Sequence, residues 1–183
     1  PFRVYTPFSR CWLNLDKRPP AGKPRALNTP ADIRSLDLPT ISHWKLKPSG
    51  ADLPEAGERA ALTRMRKALD QRITAYSAQR DIPSVSGTSR LSQDLRFGLL
   101  SIRKIYAETL RLGFKTNAAG KTGCDTFIKE LAWREFYFAI LHHFPNVLEQ
   151  EFNPDWRGLT WDEPDTTWQA WTEGRTGFPI VDA

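Results

Sequence analysis

Residues 130–137 read ELAWREFY. Glu130, Trp133, Arg134 and Tyr137 fall at i, i+3, i+4 and i+7, so on a helix they share one stripe, which Phe127 extends by a turn. A carboxylate, an indole, a guanidinium and a phenol side by side suit an aromatic ligand with hydrogen-bond donors and phosphate. The indole offers a stacking face worth about 1–3 kcal/mol per base. The same stripe also fits a plain surface carrying an Arg134–Glu130 ion pair, worth ~0.5 kcal/mol at most. A second stretch, GTSRLS at 87–92, sets Thr88, Ser89 and Ser92 at a helix start with Arg90 among them. Small hydroxyls and unpaired N–H groups there can hold a phosphate or pyrophosphate. Helix capping by Ser and Thr explains the same residues, and the stretch is not a P-loop.

Four tryptophans crowd the C-terminal third: Trp156, Trp161, Trp168 and Trp171. Trp168 and Trp171 are three apart and fit one helix face, and core packing is the default reading of the group. Electron hopping between indoles is the alternative, which needs a redox partner. His142 and His143 are adjacent and diverge around a helix, which is poor metal geometry, so no metal is expected. No Ser/His/Asp or Cys/His triad can be argued.

The elements that must position these residues are helical. Nine of the 14 prolines lie in residues 1–54, and they read as an extended connector in which long helices cannot form. Stretches such as KRPPAGKP and WKLKPSGADLP carry that reading, while Phe2, Tyr5, Phe8 and Trp12 look like anchors onto a body. From Pro54, with Glu55 and Glu58 beside it, Leu62, Met65, Leu69, Ile73 and Tyr76 mark one face of a helix over 54–78. A short helix is expected over 92–97. Ser101 caps another over 102–112, which Gly113 stops. Residues 114–122 read as a loop and 124–143 as a long helix. On its core side lie Ile128, Leu131, Ala132, Phe136 and Ala139. Loop with short helical pieces follows over 146–167, then a turn of helix at 168–173. No segment shows strand alternation, so the class is all-α.

The chain has 183 residues, 20.9 kDa, with 40% apolar and 26% charged residues, the balance of a globular domain. No stretch approaches the ~20 apolar residues of a membrane-spanning helix. Two cysteines, Cys11 and Cys124, are too few for a disulfide scaffold and point to a reducing, cytoplasmic compartment; no signal peptide is seen. Net charge is +5, but unevenly spread: +5 over 1–54, +6 over 55–115 and −6 over 116–183. That asymmetry suits an anionic partner on one side, or a solvated basic surface. A start at Pro1 and a stop at Ala183 read as a piece of something longer.

GTSRLSQDLRFGLLS, FIKELAWREFY and WTEGRTGFPIVDA, in that order and spacing, resemble the DNA photolyase/cryptochrome family, and RVYTPFSRCW resembles its interdomain segment. The likeness spans essentially the whole chain and is most like class I cyclobutane pyrimidine dimer photolyases. It implies a Pro-rich linker over 1–53 and, over 54–183, the first half of the helical FAD-binding domain. Tyr76 lies where the family has a flavin-binding Tyr. Thr88, Ser89, Arg90, Leu91 and Ser92 match the stretch that holds the FAD phosphates and ribityl chain. Phe127 replaces a Trp common at the flavin pocket. Glu130 and Trp133 match the residues that hydrogen-bond and stack on the flipped dimer; Arg80, Arg134 and, on the same stripe, Tyr137 fall at the DNA contact. Trp161 looks like the outermost tryptophan of the photoreducing chain. The implied partner is DNA containing pyrimidine dimers, met by a monomer. The antenna chromophore would sit on an N-terminal domain outside this sequence. The chain alone is then expected to bind FAD weakly or not at all and to repair nothing. A cryptochrome-type blue-light photoreceptor is the alternative.

Overall fold

A computed structural model describes residues 1–47 and 50–182. Pro48 and Ser49, inside the expected connector, and Ala183, the last residue of the GRTGFPIVDA motif, lie outside the described residues. All regular structure among them is helical: α1 (Tyr5–Asn14), α2 (Glu58–Gln71), α3 (Tyr76–Gln79), α4 (Ser92–Arg96), α5 (Ile102–Gly113), α6 (Ala118–His143), α7 (Thr166–Thr172) and α8 (Pro179–Asp182), with 3₁₀ turns at Ile73–Ala75, Pro145–Leu148 and Pro154–Trp156. The chain divides into two units, Pro1–Ala139 and Ile140–Ala183.

The first unit holds the core. Ala61, Met65 and Ala68 of α2, then Ile73 and Tyr76, pack with Leu91, Leu100, Ile105 and, from α6, Cys124, Phe127 and Leu131. Leu62 and Leu69, on the expected face of α2, pack against it half-buried. The segment expected as one helix over 54–78 is broken. It starts at Glu58 after Gly57 (φ 101°) and ends at Arg72, whose φ of −129° leaves the helical region. The cause is a close approach: a Cβ on Gly123 of α6 would collide with the carbonyls of Ile73 and Thr74. Only glycine admits the turn that brings Tyr76 to α6.

α4 is tied down by a buried charge. Asp94 is 0% exposed and takes two hydrogen bonds from Arg64, Nε to Oδ2 at 3.0 Å and Nη2 to Oδ1 at 2.6 Å. Arg64 Nη1 also reaches the Glu55 carbonyl at 2.7 Å, so one guanidinium joins α2, α4 and the chain before α2. Such bidentate pairing is what lets a carboxylate be buried at all.

Three further expectations differ from the structure. The connector is not wholly extended: Tyr5–Asn14 is a ten-residue helix, with Pro7 in its first turn, where a missing N–H costs nothing. Its aromatics do anchor it, Phe8 on Phe136 (5.3 Å between ring centres) and Trp12 on Tyr106 (5.6 Å). Next, α6 begins at Ala118 and not near 124, because the Asn117 side chain accepts the Gly120 N–H at 2.9 Å and starts the helix in the expected loop. Third, Ser101 stands at the start of α5 without a side-chain bond. On the expected core side of α6, Ile128, Leu131, Ala132 and Phe136 are buried, while Ala139 is only half-buried.

In the second unit the tryptophans are not core. Trp156, Trp161, Trp168 and Trp171 are all more than half exposed, since the short helices there are too few to enclose an indole. Asp165 starts α7 by accepting from the N–H groups of Thr167 (2.9 Å) and Trp168 (3.0 Å). Asp182 closes the TGFPIVD turn, accepting from the Thr176 N–H (2.8 Å) and hydroxyl (2.6 Å) and the Gly177 N–H (2.9 Å). Those bonds favour the ionised carboxylate and hold Asp182 below its usual range.

Candidate flavin and nucleic-acid site

The stripe on α6 is real, but its partners come from elsewhere in the chain. Glu130 does not pair with Arg134. Its carboxylate accepts from Arg80 Nη1, fifty residues away at the end of α3, and Arg80 Nε reaches Asp81 at 3.4 Å. Arg134 instead lies over the Phe138 ring at 4.4 Å and donates to the Leu95 carbonyl at 3.4 Å. The i, i+4 pair loses because Arg80 arrives on the turn that Gly123 admits. Burial alone would lower the Arg80 pKa, but Glu130 and Asp81 outweigh it and raise it.

Tyr76 and Phe127 form a buried aromatic wall, ring centres 5.2 Å apart and edge to face. The Arg80 guanidinium carbon lies 6.0 Å from the Tyr76 ring. Burial, then the nearby Glu130 charge, push the Tyr76 phenol above its ordinary pKa of 10.0, so it stays protonated at neutral pH.

Trp133 follows Glu130 by one turn. It is half-buried and stacks on Tyr5 of α1, ring centres 3.5 Å apart and planes 7° apart. Tyr137, exposed, lies 5.7 Å from Trp133 at 24°. Nothing in the spacing of Tyr5 points to this site beyond its reading as an anchor; only the fold brings it there.

GTSRLS makes an irregular loop before α4. Leu91 is buried in the core, Arg90 has the left-handed φ of 54°, and Thr88 and Ser92 are exposed. No Ser or Thr caps α4: its N-cap is Leu91, without a side-chain bond. The N–H groups from Thr88 to Ser92 have no hydrogen-bond acceptor among the described residues. Unspent donors of this kind fit a phosphate-bearing cofactor better than self-capping.

Trp161 belongs to the second unit and is 80% exposed. With Trp168, Trp171 and Phe178 it lines an open hollow of about 860 Å³, and Trp168 and Trp171 are 5.1 Å apart. Among the described residues no three His, Cys, Asp or Glu side chains gather as metal ligands, and no helix is long and apolar enough to cross a membrane.

An aromatic wall, unspent loop donors and a carboxylate–indole stripe thus occur on one all-helical unit. Known proteins agree with this. The family described as the FAD binding domain of DNA photolyase matches residues 127–183. Over its whole length the chain is 32% identical to a deoxyribodipyrimidine photo-lyase of Synechococcus sp., covering 40% of that protein. It is 37% identical to those of Halobacterium salinarum and Thermus thermophilus, covering 39% of each. The crystal structure of a class III photolyase from Agrobacterium tumefaciens superposes with a TM-score of 0.86 at 33% identity, over all of this chain and 38% of that one. The fold is that of the photolyase FAD-binding helical domain, and the chain is similar to the FAD-binding portion of the DNA photolyase family. It spans about two fifths of the length of the relatives it matches.

Proposed function

We propose that residues 1–183 form the linker and first half of the FAD-binding domain of a cyclobutane pyrimidine dimer photolyase, which repairs DNA with light. The observation that carries the reading is the Arg80–Glu130 pair, set against Tyr76 on one side of α6 and one turn from Trp133. It joins an aromatic wall suited to a flavin to a carboxylate and indole suited to a base.

FAD fits the residues present. Thr88 to Ser92 would take its phosphates on free N–H groups and hydroxyls, and Tyr76 with Phe127 would wall the ring system. When bound and reduced, it supplies the photoexcited electron that opens the dimer and receives it back, with no net redox change. The chain's own residues do the rest. Trp133 stacks on the flipped-out dimer, which leaves the duplex because its bases are already badly stacked. Glu130 turns from Arg80 to the dimer, where its carboxyl group hydrogen-bonds the base edge and holds it in place. Arg80, released, and Arg134 would meet DNA phosphates, and Tyr137 would add a neighbouring ring. Trp161, open to solvent, suits an outermost electron-transfer position. The partner is then DNA with pyrimidine dimers, met by a monomer, in the cytoplasm.

The motifs resemble class I most, whereas the matched crystal structure is a class III enzyme. The second reading, a cryptochrome-type photoreceptor, shares the flavin wall but has no use for Glu130 beside Trp133. The test is Glu130→Gln in the full-length protein that carries this segment. Repair quantum yield is expected to fall while dimer binding stays mostly intact. An unchanged yield contradicts the assignment.

A further inference from the structure

Tyr5 and Trp133 are 128 positions apart and lie face to face, 3.5 Å between ring centres with 7° between planes. The Tyr5 hydroxyl donates to the Lys129 carbonyl at 2.9 Å, one turn before Trp133 on the same helix. Its ring is therefore held at both ends by α6. Phe136 stands edge-on to both rings at 5.8 Å, and Phe8 closes against Phe136. Three aromatic side chains, Tyr5, Phe136 and Tyr137, adjoin the indole, and Tyr5 lies the closest and the most nearly parallel, against 5.7 Å and 24° for Tyr137.

We infer that Tyr5 is a positioning residue for Trp133: it covers one face of the indole and locks its plane, so that a base stacks only on the other. The inference rests on the lesion-stacking reading of Trp133. A half-buried indole without a backing ring would sample several rotamers, and a ligand would have to order it on binding. Ordering one such side chain weakens binding about 3–10-fold. A covered face also removes a competing stacking mode, so the dimer can enter in one orientation only.

The experiment uses the full-length protein with 5-fluorotryptophan, the Trp133 resonance being assigned by Trp133→Phe. Binding in the dark is measured with a dimer-containing oligonucleotide and with the same sequence undamaged. Tyr5→Phe keeps the stack and should leave the resonance in place and both affinities within about twofold. Tyr5→Leu should move the resonance and weaken dimer binding about 3–10-fold, with undamaged DNA and repair yield per bound dimer unchanged. Should Tyr5→Leu fail to fold, Tyr5→Met, bulky but not flat, carries the same prediction. A moved resonance with wild-type dimer binding overturns the inference, as does an unmoved resonance or an equal loss for undamaged DNA. Wild-type dimer binding by Trp133→Ala, which leaves no ring to stack, removes the lesion-stacking reading itself, and the inference with it.

Discussion

The Arg80 guanidinium holds the Glu130 carboxylate across fifty residues of sequence, and the pair rests against Tyr76. Arg80 and Glu130 are 32% and 35% exposed, so solvent screens them and the pair adds little to stability. Its position between the aromatic wall and Trp133 gives it a different use: it keeps a carboxylate ready at the place where a base is expected.

Arg80→Ala should therefore cost less than about 1 kcal/mol of folding stability. Affinity for dimer-containing DNA should fall by more than that. Urea unfolding alongside a dark binding titration checks both, and a large stability loss with unchanged affinity would make the pair purely structural.

Asp94 is the opposite case. It is fully buried and its charge is met by Arg64, which is itself mostly covered. Asp94→Ala leaves that guanidinium without its partner and should cost about 3 kcal/mol, measured by denaturant midpoint. A loss under about 1 kcal/mol would show that water replaces the carboxylate freely.

Gly123→Ala pits two effects against each other. Alanine gains about 1 kcal/mol of helix propensity over glycine. The new methyl, however, meets the Ile73 and Thr74 carbonyls at less than van der Waals distance, and such overpacking costs about 1–3 kcal/mol. Backbone atoms cannot step aside as a side chain can, so the clash should win. The melting temperature should drop and the Tyr76 environment should change in near-ultraviolet circular dichroism.

Much of the helical plan was legible in the sequence, because it rests on local signals. The expected span of α5 lies within a residue of Ile102–Gly113, and most of the apolar spacing of α6 matches its buried side. What sequence reading missed depends on distant partners. The break in α2 is set by Gly123, Glu130 finds Arg80 and not its helical neighbour, and Trp133 finds Tyr5. The burial of Asp94 likewise depends on Arg64, thirty residues away, which no local signal announces. The loop at 87–92 was ambiguous between capping and phosphate binding, since both need small hydroxyls; the missing side-chain cap favours the second.

Three phenols predict an alkaline limit. Tyr5, Tyr76 and Tyr106 are all raised above 10.0, in each case first by burial. A raised folded-state pKa gives stability that is full below the unfolded value and is lost as pH climbs through the folded one. Urea midpoints should hold steady to about pH 9.5 and then fall as pH rises past 10. Tyrosinate absorbance should show these groups ionising above the value of free tyrosine. A midpoint unchanged to pH 11 would contradict the burial of these rings.

Repair itself is the most direct test of the account. A DNA oligonucleotide carrying thymine cyclobutane dimers is mixed with the full-length protein, its flavin reduced, and dimers are counted before and after blue light. The account predicts loss of dimers in the light, none in the dark, and a lower yield with Glu130→Gln. Flavin-loaded protein that binds this DNA and leaves every dimer intact under light would contradict it and favour the photoreceptor reading.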